Sequence, residues 1–492
     1  MKSKFLLLLI MCVLWDAAAA HDIDTKTTNI TVGETTVKTL SLIIGRGLPV
    51  IYVETVDAEE PTCEYVSAPP GCMGATIRNA TKVPGRLVYY QRIAGIDSVL
   101  YDSGDYVKDV SGLTIKLRGN TSAYDVKKPY KIKLQKKKDL LFRDNESVYK
   151  DKEWLLLRDD YLTTIAGLKV NELLGMTWTP QHHFVNLIMN GDYRGTYLLC
   201  ESVKRNPDCR LNVDKNSGFI FECDPYWWNE AVYVTSNKSP SYNYTFKYPD
   251  DEDITEEQLA YMQTLVRDYE NSLNKSTYPD KIDVASFAAW CLVHDVMGTK
   301  DAGGANRFYL KYDTTAATKI VMPLAWDFDM AERMTSAWSQ CHTTHMTILF
   351  NNTTRDFVGE FADLWRKVRG TLVNDVTQFM TDFRNSSEGV TLENCLELDR
   401  MVYGRNITVY GQSFGRCTWI TNRFPWLDNA INNLNPLGDV NVDGKVDVTD
   451  VTMMIDAVLN GTTGRLHAAD INTDDNVNIT DVTELIRMVL KL

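Results

Sequence analysis

The C-terminal end of the chain carries a repeat that leaves few folds open to it. Asp439-Val-Asn441-Val-Asp443-Gly444-Lys445-Val-Asp447-Val-Thr-Asp450 returns 31 residues later as Asp470-Ile-Asn472-Thr-Asp474-Asp475-Asn476-Val-Asn478-Ile-Thr-Asp481. Oxygen-bearing side chains recur at positions 1, 3, 5, 9 and 12 of each copy, the spacing with which a single loop wraps a calcium ion. At position 7, Lys445 and Asn476 each offer a backbone carbonyl. Each loop runs into apolar residues at helical spacing: Met454, Ile455, Val458 and Leu459 in one copy, Leu485, Ile486, Val489 and Leu490 in the other. Pro436-Leu-Gly438 opens the unit, so residues 436–492 are expected to form a small all-α domain of two loop–helix repeats holding two Ca ions. Asp475 stands where the first copy has Gly444, so the second loop is expected to be strained or weaker.

A second constellation lies upstream. Asp301 and Asn306 sit five residues apart, and Trp326-Asp327-Phe328-Asp329 follows about twenty residues later. Protein kinases use this layout: one Asp accepts the substrate hydroxyl's proton, an Asn five residues on holds a metal, and a later Asp holds the nucleotide-bridging metal. Gly303 and Gly304 let the loop turn sharply. A few carboxylates and an amide suit a hard, near-octahedral cation such as Mg. The competing reading is a polar loop with exposed acids before a strand.

With 492 residues the chain is too long for one small core. Its net charge of −13 argues against a nucleic-acid partner and fits an anionic membrane surface poorly. Residues 1–20 read as a signal peptide: Lys2 and Lys4, an apolar run from Phe5 to Leu14, then Ala17 to Ala20, with cleavage before His21. No later stretch has the roughly 18 apolar residues of a membrane span, so the mature chain is expected to be exported and soluble. Nine cysteines would remain, Cys63–Cys72 and Cys200–Cys209 being the nearest pairs in sequence. Thirteen Asn-x-Ser/Thr sites fit a glycosylating secretory route or simply an Asn- and Thr-rich chain.

Residues 21–95 look β-rich, either a small appended sandwich or the first strands of the main domain. A strand 113–117 then ends in the turn Arg118-Gly119-Asn120-Thr121-Ser122, which can present N–H groups to phosphate oxygens. Arg118 and Asn120 are counted among the nucleotide-binding candidates. The next strand, Lys128-Pro-Tyr-Lys131-Ile-Lys133-Leu, puts Lys131 and Lys133 on one face; Lys133 is favoured for the phosphates, with Lys131 second. Glu172, on a helix begun by Asp159-Asp160, could pair with that lysine or lie in solvent. Asn190-Gly191 marks a hairpin leading to Glu201, and Glu201 or Glu222 could line the cleft or cap a surface. His182-His183 face opposite ways on a strand and are rejected as a metal site. From Thr255 the pattern turns helical, with a helix over 256–274 and another capped by Asp283 that delivers the chain to Asp301.

Taken together, Arg118-Gly-Asn-Thr-Ser, Lys128-Pro-Tyr-Lys-Ile-Lys-Leu, Asn190-Gly-Asp-Tyr-Arg-Gly-Thr-Tyr-Leu-Leu-x-Glu201, Gly298-Thr-Lys-Asp301, Asn306-Arg-Phe-Tyr-Leu and Trp326-Asp-Phe-Asp329 resemble the CotH family of spore-coat-H-like atypical kinases. The resemblance implies an α+β, two-lobed protein-kinase-like fold over 96–435, with 21–95 as a β-rich extension. It implies transfer of the ATP γ-phosphate to Ser or Thr hydroxyls with Mg or Mn. Asp301 would be the base, Lys133 would hold phosphates, and Asn306, Asp327 and Asp329 would hold metal. Lys300, beside the base, departs from the family pattern. The C-terminal repeat, ending in Asp rather than a bidentate Glu, resembles a type I dockerin, which implies docking onto a cohesin-bearing scaffold. The alternative is a non-catalytic pseudokinase, a structural or adhesion component of an extracellular, polysaccharide-degrading assembly.

Overall fold

The computed structural model describes residues 29–491 apart from 34, 38–39, 239–240, 304–306 and 344. The expected signal peptide, its cleavage point and Asn306 therefore lie outside the described residues. No described helix is long and apolar enough to cross a membrane.

Alternation builds the largest sheet. Leu113, Ile115 and Leu117 are buried while Thr114 and Lys116 are not, and Tyr130, Ile132 and Leu134 alternate with Lys131 and Lys133. Period-two burial gives each strand one apolar face. The strands run in the order Asp151–Leu157, Tyr130–Lys138, Leu113–Leu117, Val83–Ile93, Val50–Thr55, His182–Met189 and Asp192–Glu201. The last then pairs antiparallel with the first, Trp154 opposite Glu201 and Leu157 opposite Leu198. That pairing closes the sheet into a barrel, filled by residues including Leu87, Tyr89, Ile132, Trp154, Leu187 and Leu199. One junction, Val50–Thr55 with His182–Met189, is parallel; the rest of the ring is antiparallel.

The sheet-rich part, expected as one lobe of a two-lobed kinase layout, is a closed barrel. The barrel also decides where residues before 95 belong: Val50–Thr55 and Val83–Ile93 are strands of the ring. Between them, Glu64–Ser67 and Ala75–Arg78 form a separate two-stranded ribbon. Its register, Glu64 opposite Arg78 and Ser67 opposite Ala75, puts Cys63 at the base and Cys72 near the tip. Four residues of strand separate them by about 13 Å, too far to bridge. All nine described cysteines are free thiols.

A second, four-stranded sheet has the order Asn243–Tyr248, Phe219–Asp224, Arg307–Lys311, Ile320–Val321. It packs with helices around one large core. The helix Glu256–Ser272 starts in a capping box from Thr255 and Gln258, and Val284–Met297 is capped by Asp283, whose carboxylate accepts from Ser286 N. The latter helix is buried on every side from Phe287 to Met297, so it runs through the core rather than showing it a single apolar face. The helices Asp356–Asn385, Ser387–Tyr403 and Val409–Leu434 complete the body. A buried cation ties barrel to helices: Lys127 Nζ lies 2.6 Å from Asp160 and 2.8 Å from Asp399 with no solvent exposure.

At the C-terminus, the helices Val448–Asn460 and Ile479–Leu490 pack through Val451, Met454, Val482 and Leu485. This unit is seated on the body. His467 Nδ1 is 2.9 Å from Asp363 and Ala468 N donates to the same carboxylate. Asn435 Nδ2 donates to the Asp439 carbonyl at 3.2 Å, and Val442 joins the body's core.

Candidate active site

Two local devices bring Asp301 beside the later acids. The helix Val284–Met297 ends at Gly298, in the left-handed region with φ 55°. There a Cβ would stand 2.6 Å from the Trp419 ring, so both backbone and space call for glycine. The loop then runs against the segment after Asp329: Glu332 N donates to Met297 O at 2.7 Å, and Lys300 N to Met330 O at 3.1 Å. On the other side, the helix Thr163–Leu173 holds the stretch before Asp327. Asn171 brackets Ala325, donating to its carbonyl at 2.8 Å and accepting from its N–H at 3.1 Å. Phe328 lies directly on Gly167 of the same helix. Asp159 starts that helix as expected, its carboxylate accepting from Thr164 N and Ile165 N.

The result is a cavity of about 240 Å³. Its polar wall is the 118–122 turn from the barrel, facing Asp301, Asp327 and Asp329; Tyr226 and Tyr242 of the second sheet's connections close another side. Gly119 makes the turn possible at φ 87°, with the Ser122 hydroxyl tucked where a Cβ would be. Asp327 is itself held in the left-handed region, φ 68°, a costly conformation for a residue with a Cβ. Desolvation by the surrounding protein, then the charge of Asp329, pushes the Asp301 carboxyl up to about 6, although the residue stays open to solvent. Burial also pushes Asp327 well above the usual carboxylate range, helped by the charges of Asp329 and Asp301 and by a hydrogen bond with Asp329. The charges of Asp329 and Asp301 both act on Asp327, and a cation would relieve that repulsion. The all-oxygen donor set suits Mg or Mn, so the residues fit the divalent ion that the kinase layout calls for. Burial lowers the Arg118 pKa, while the negative charges of Asp327, Glu222 and Asp329 draw it back up. A guanidinium in this place stays protonated.

Of the residues expected from sequence, Arg118, Asn120, Asp301, Asp327 and Asp329 line this one cavity. Lys131 and Lys133 do not. They project from the outside of the barrel to Glu153, at 2.7 and 3.7 Å, and Lys133 is more than half exposed. The register explains it. Lys116 pairs with Lys131 and Thr114 with Lys133, so the favoured lysine lies two outward-facing rows beyond Arg118, on the order of 13 Å along the strands. Arg118, in the turn just past the strand Leu113–Leu117, lines the cavity, as does Arg158. Glu172 pairs with Lys169 on its own helix at 3.0 Å and reaches no cavity lysine. Glu201 is fully buried at the ring closure, 3.0 Å from Arg143 and accepting from Gln181 N, and serves the barrel rather than the cavity. Glu222 pairs with Lys247 at 2.7 Å. Sequence reasoning missed Gly167, Asn171, Thr164, Tyr226, Tyr242, Met73 and Gly74. Only Gly167, a glycine inside a helix, carried a visible signal.

In both C-terminal loops carboxylates accept from the N–H groups of the loop itself. Asp439 accepts from Asp443 N and Gly444 N, and Asp450 from Asn441 N and Asp447 N. In the second copy Asp470 accepts from Asp474 N and Asp475 N, and Asp481 from Asn472 N and Asn478 N. Carboxylate oxygens of Asp470, Asp474 and Asp481 lie within 4.8 Å of one another, a donor set fit for Ca. Gly444 has φ 88° and Asp475 must adopt φ 64° at the same place.

A family model described as CotH kinase protein matches residues 115–385, and one described as dockerin type I domain matches residues 437–490. No curated protein matches the chain. The first match covers more than half of the sequence and contains Arg118, Asp301, Asp327 and Asp329, the second contains both acidic loops, and the chain therefore belongs to the CotH kinase family and carries a C-terminal type I dockerin domain.

Proposed function

We propose that this chain is an exported protein kinase that transfers the γ-phosphate of ATP to Ser or Thr hydroxyls of proteins, and that its dockerin attaches it to a cohesin-bearing scaffold. The observation that carries the reading is one cavity shared by Asp301, Asp327, Asp329 and Arg118, beneath a glycine turn. Asp301 takes the proton of the acceptor hydroxyl. Asp327 and Asp329, with Asn306, hold Mg or Mn, which neutralises phosphate charge when bound. Arg118 fills the place first assigned to Lys133, and Asn120 and the turn's N–H groups face the phosphates. The dockerin loops bind calcium through Asp439, Asn441, Asp443, Lys445 O, Asp447 and Asp450, and through Asp470, Asn472, Asp474, Asn476 O, Asn478 and Asp481. Incorporation of labelled phosphate from ATP tests the transfer; Asp301→Ala is expected to abolish it, and equal labelling by both proteins refutes it.

A second reading, a pseudokinase acting as a structural or adhesion component of an extracellular assembly, is favoured by one observation: neither Lys131 nor Lys133 lines the cavity. Nucleotide binding without labelling by the wild-type chain would select it.

A further inference from the structure

The cavity has an edge that the kinase-family match does not include. The ribbon of residues 64–78 lies before residue 115, where that match begins, yet Met73 and Gly74 of its tip line the cavity. The ribbon is tied to both cavity walls. Toward the phosphate turn, Thr76, 2% exposed, donates its hydroxyl to Asn120 Oδ1 at 2.6 Å. Tyr124 OH donates to Thr76 O at 3.2 Å, and Tyr65 OH to Ala123 O at 3.1 Å. Toward the opposite wall, Trp228 Nε1 donates to Met73 O at 3.2 Å, and Asn229 bridges Ile77 O and Arg78 Nε at 3.0 and 2.7 Å. Gly74 lies so close to Tyr226 that a Cβ would sit 2.6 Å from its ring.

The Thr76 bond has a chemical consequence. An amide has one acceptor end and one donor end. A hydroxyl can serve either end of an amide; here it donates to Oδ1 of Asn120, which leaves the Nδ2 donor for the cavity. Donors are what phosphate oxygens require, whereas a flipped amide would present them with an acceptor. We infer that the ribbon is a built part of the phosphate site, and that Thr76 is a positioning residue which orients the Asn120 amide toward phosphate oxygens. The inference rests on the nucleotide reading above.

The test uses the full chain and MgATP. Thr76→Val keeps the shape of the side chain and removes the hydroxyl; Thr76→Ser restores it. Valine is expected to raise the Kd and KM for ATP about five- to ten-fold, the loss of one charge-assisted hydrogen bond, with kcat within about two-fold. Serine is expected to match wild type, and equal melting temperatures would exclude general unfolding. If wild type binds ATP and Thr76→Val binds it as tightly, the ribbon inference falls and the kinase reading stands. If wild type binds no ATP, the kinase reading falls, and with it the phosphate role given to Thr76. Hydrogen exchange of residues 119–124 in the ligand-free protein then reports separately on the contact: faster exchange in Thr76→Val upholds the ribbon's hold on the turn, and unchanged exchange overturns that as well.

Discussion

Gly167→Ala adds one methyl group and is expected to do disproportionate damage. The new Cβ would lie 2.4 Å from Cγ of Phe328 and 2.5 Å from both Cδ atoms. Phe328 is 1% exposed, so the ring cannot swing into solvent. Helix propensity alone would favour alanine by about 1 kcal/mol. Overpacking a filled core costs about 1–3 kcal/mol, so a net loss of up to about 2 kcal/mol is expected. The functional cost should be larger, because Phe328 stands between Asp327 and Asp329. Shifting it moves the two carboxylates proposed to hold metal, and a displacement of about 1 Å can cost about 100-fold in rate. Gly370→Ala supplies the control. It lies within the helix Asp356–Asn385, and its Cβ would meet nothing within 4 Å. There the same substitution should stabilise by about 0.5–1 kcal/mol. Urea denaturation of both variants, with metal-dependent nucleotide binding alongside, makes the comparison. A Gly167→Ala protein as stable and as tight-binding as Gly370→Ala would refute the claim that this helix sets the acids.

Other outcomes follow from the same structure. The Asp301 carboxyl titrates near 6 when folded, against an ordinary value of 3.8. Its contribution to stability is therefore full below about pH 4 and lost as pH rises through about 6. Asp301→Asn should raise metal-free stability by about 1 kcal/mol at about pH 7.5, a figure reduced for the residue's exposure, and not at all at about pH 4; melting curves at both pH values check this. Lys127→Met should destabilise by about 3–5 kcal/mol by leaving Asp399 buried without its cation, read from urea midpoints. Asp475→Gly relieves a left-handed aspartate and should tighten calcium at the second loop several-fold for about 1 kcal/mol of strain removed; titration calorimetry on the full chain, compared with wild type, decides it.

The parts legible in the sequence were those written locally. Each acidic loop keeps its oxygen side chains within twelve consecutive residues and runs straight into a helix, so spacing alone made the two loop–helix repeats legible. The acids of the cavity were legible for a related reason: Asp301 and Asp327 flank one strand-and-turn excursion. The cation was not. Alternation placed Lys131 and Lys133 correctly on one face of a strand, yet which row of that face meets the cavity depends on ring closure between Trp154 and Glu201, a pairing of distant residues that no local pattern encodes. Glu201 was misassigned for the same reason, since the ring closure and Arg143 claim it. Thr76 and Met73 sit in a ribbon whose sequence carries no motif, and only their contacts reveal a role.

The joint between the last body helix and the first acidic loop has a mechanical meaning. Asn435 grips Asp439, Asp363 grips His467 and Ala468, and Val442 is sunk among body side chains. A scaffold that clasps the C-terminal helices therefore takes hold of the entire molecule at a set attitude, much as a bracket holds a lamp. Its attitude on such a partner is then set by this joint rather than by a free linker.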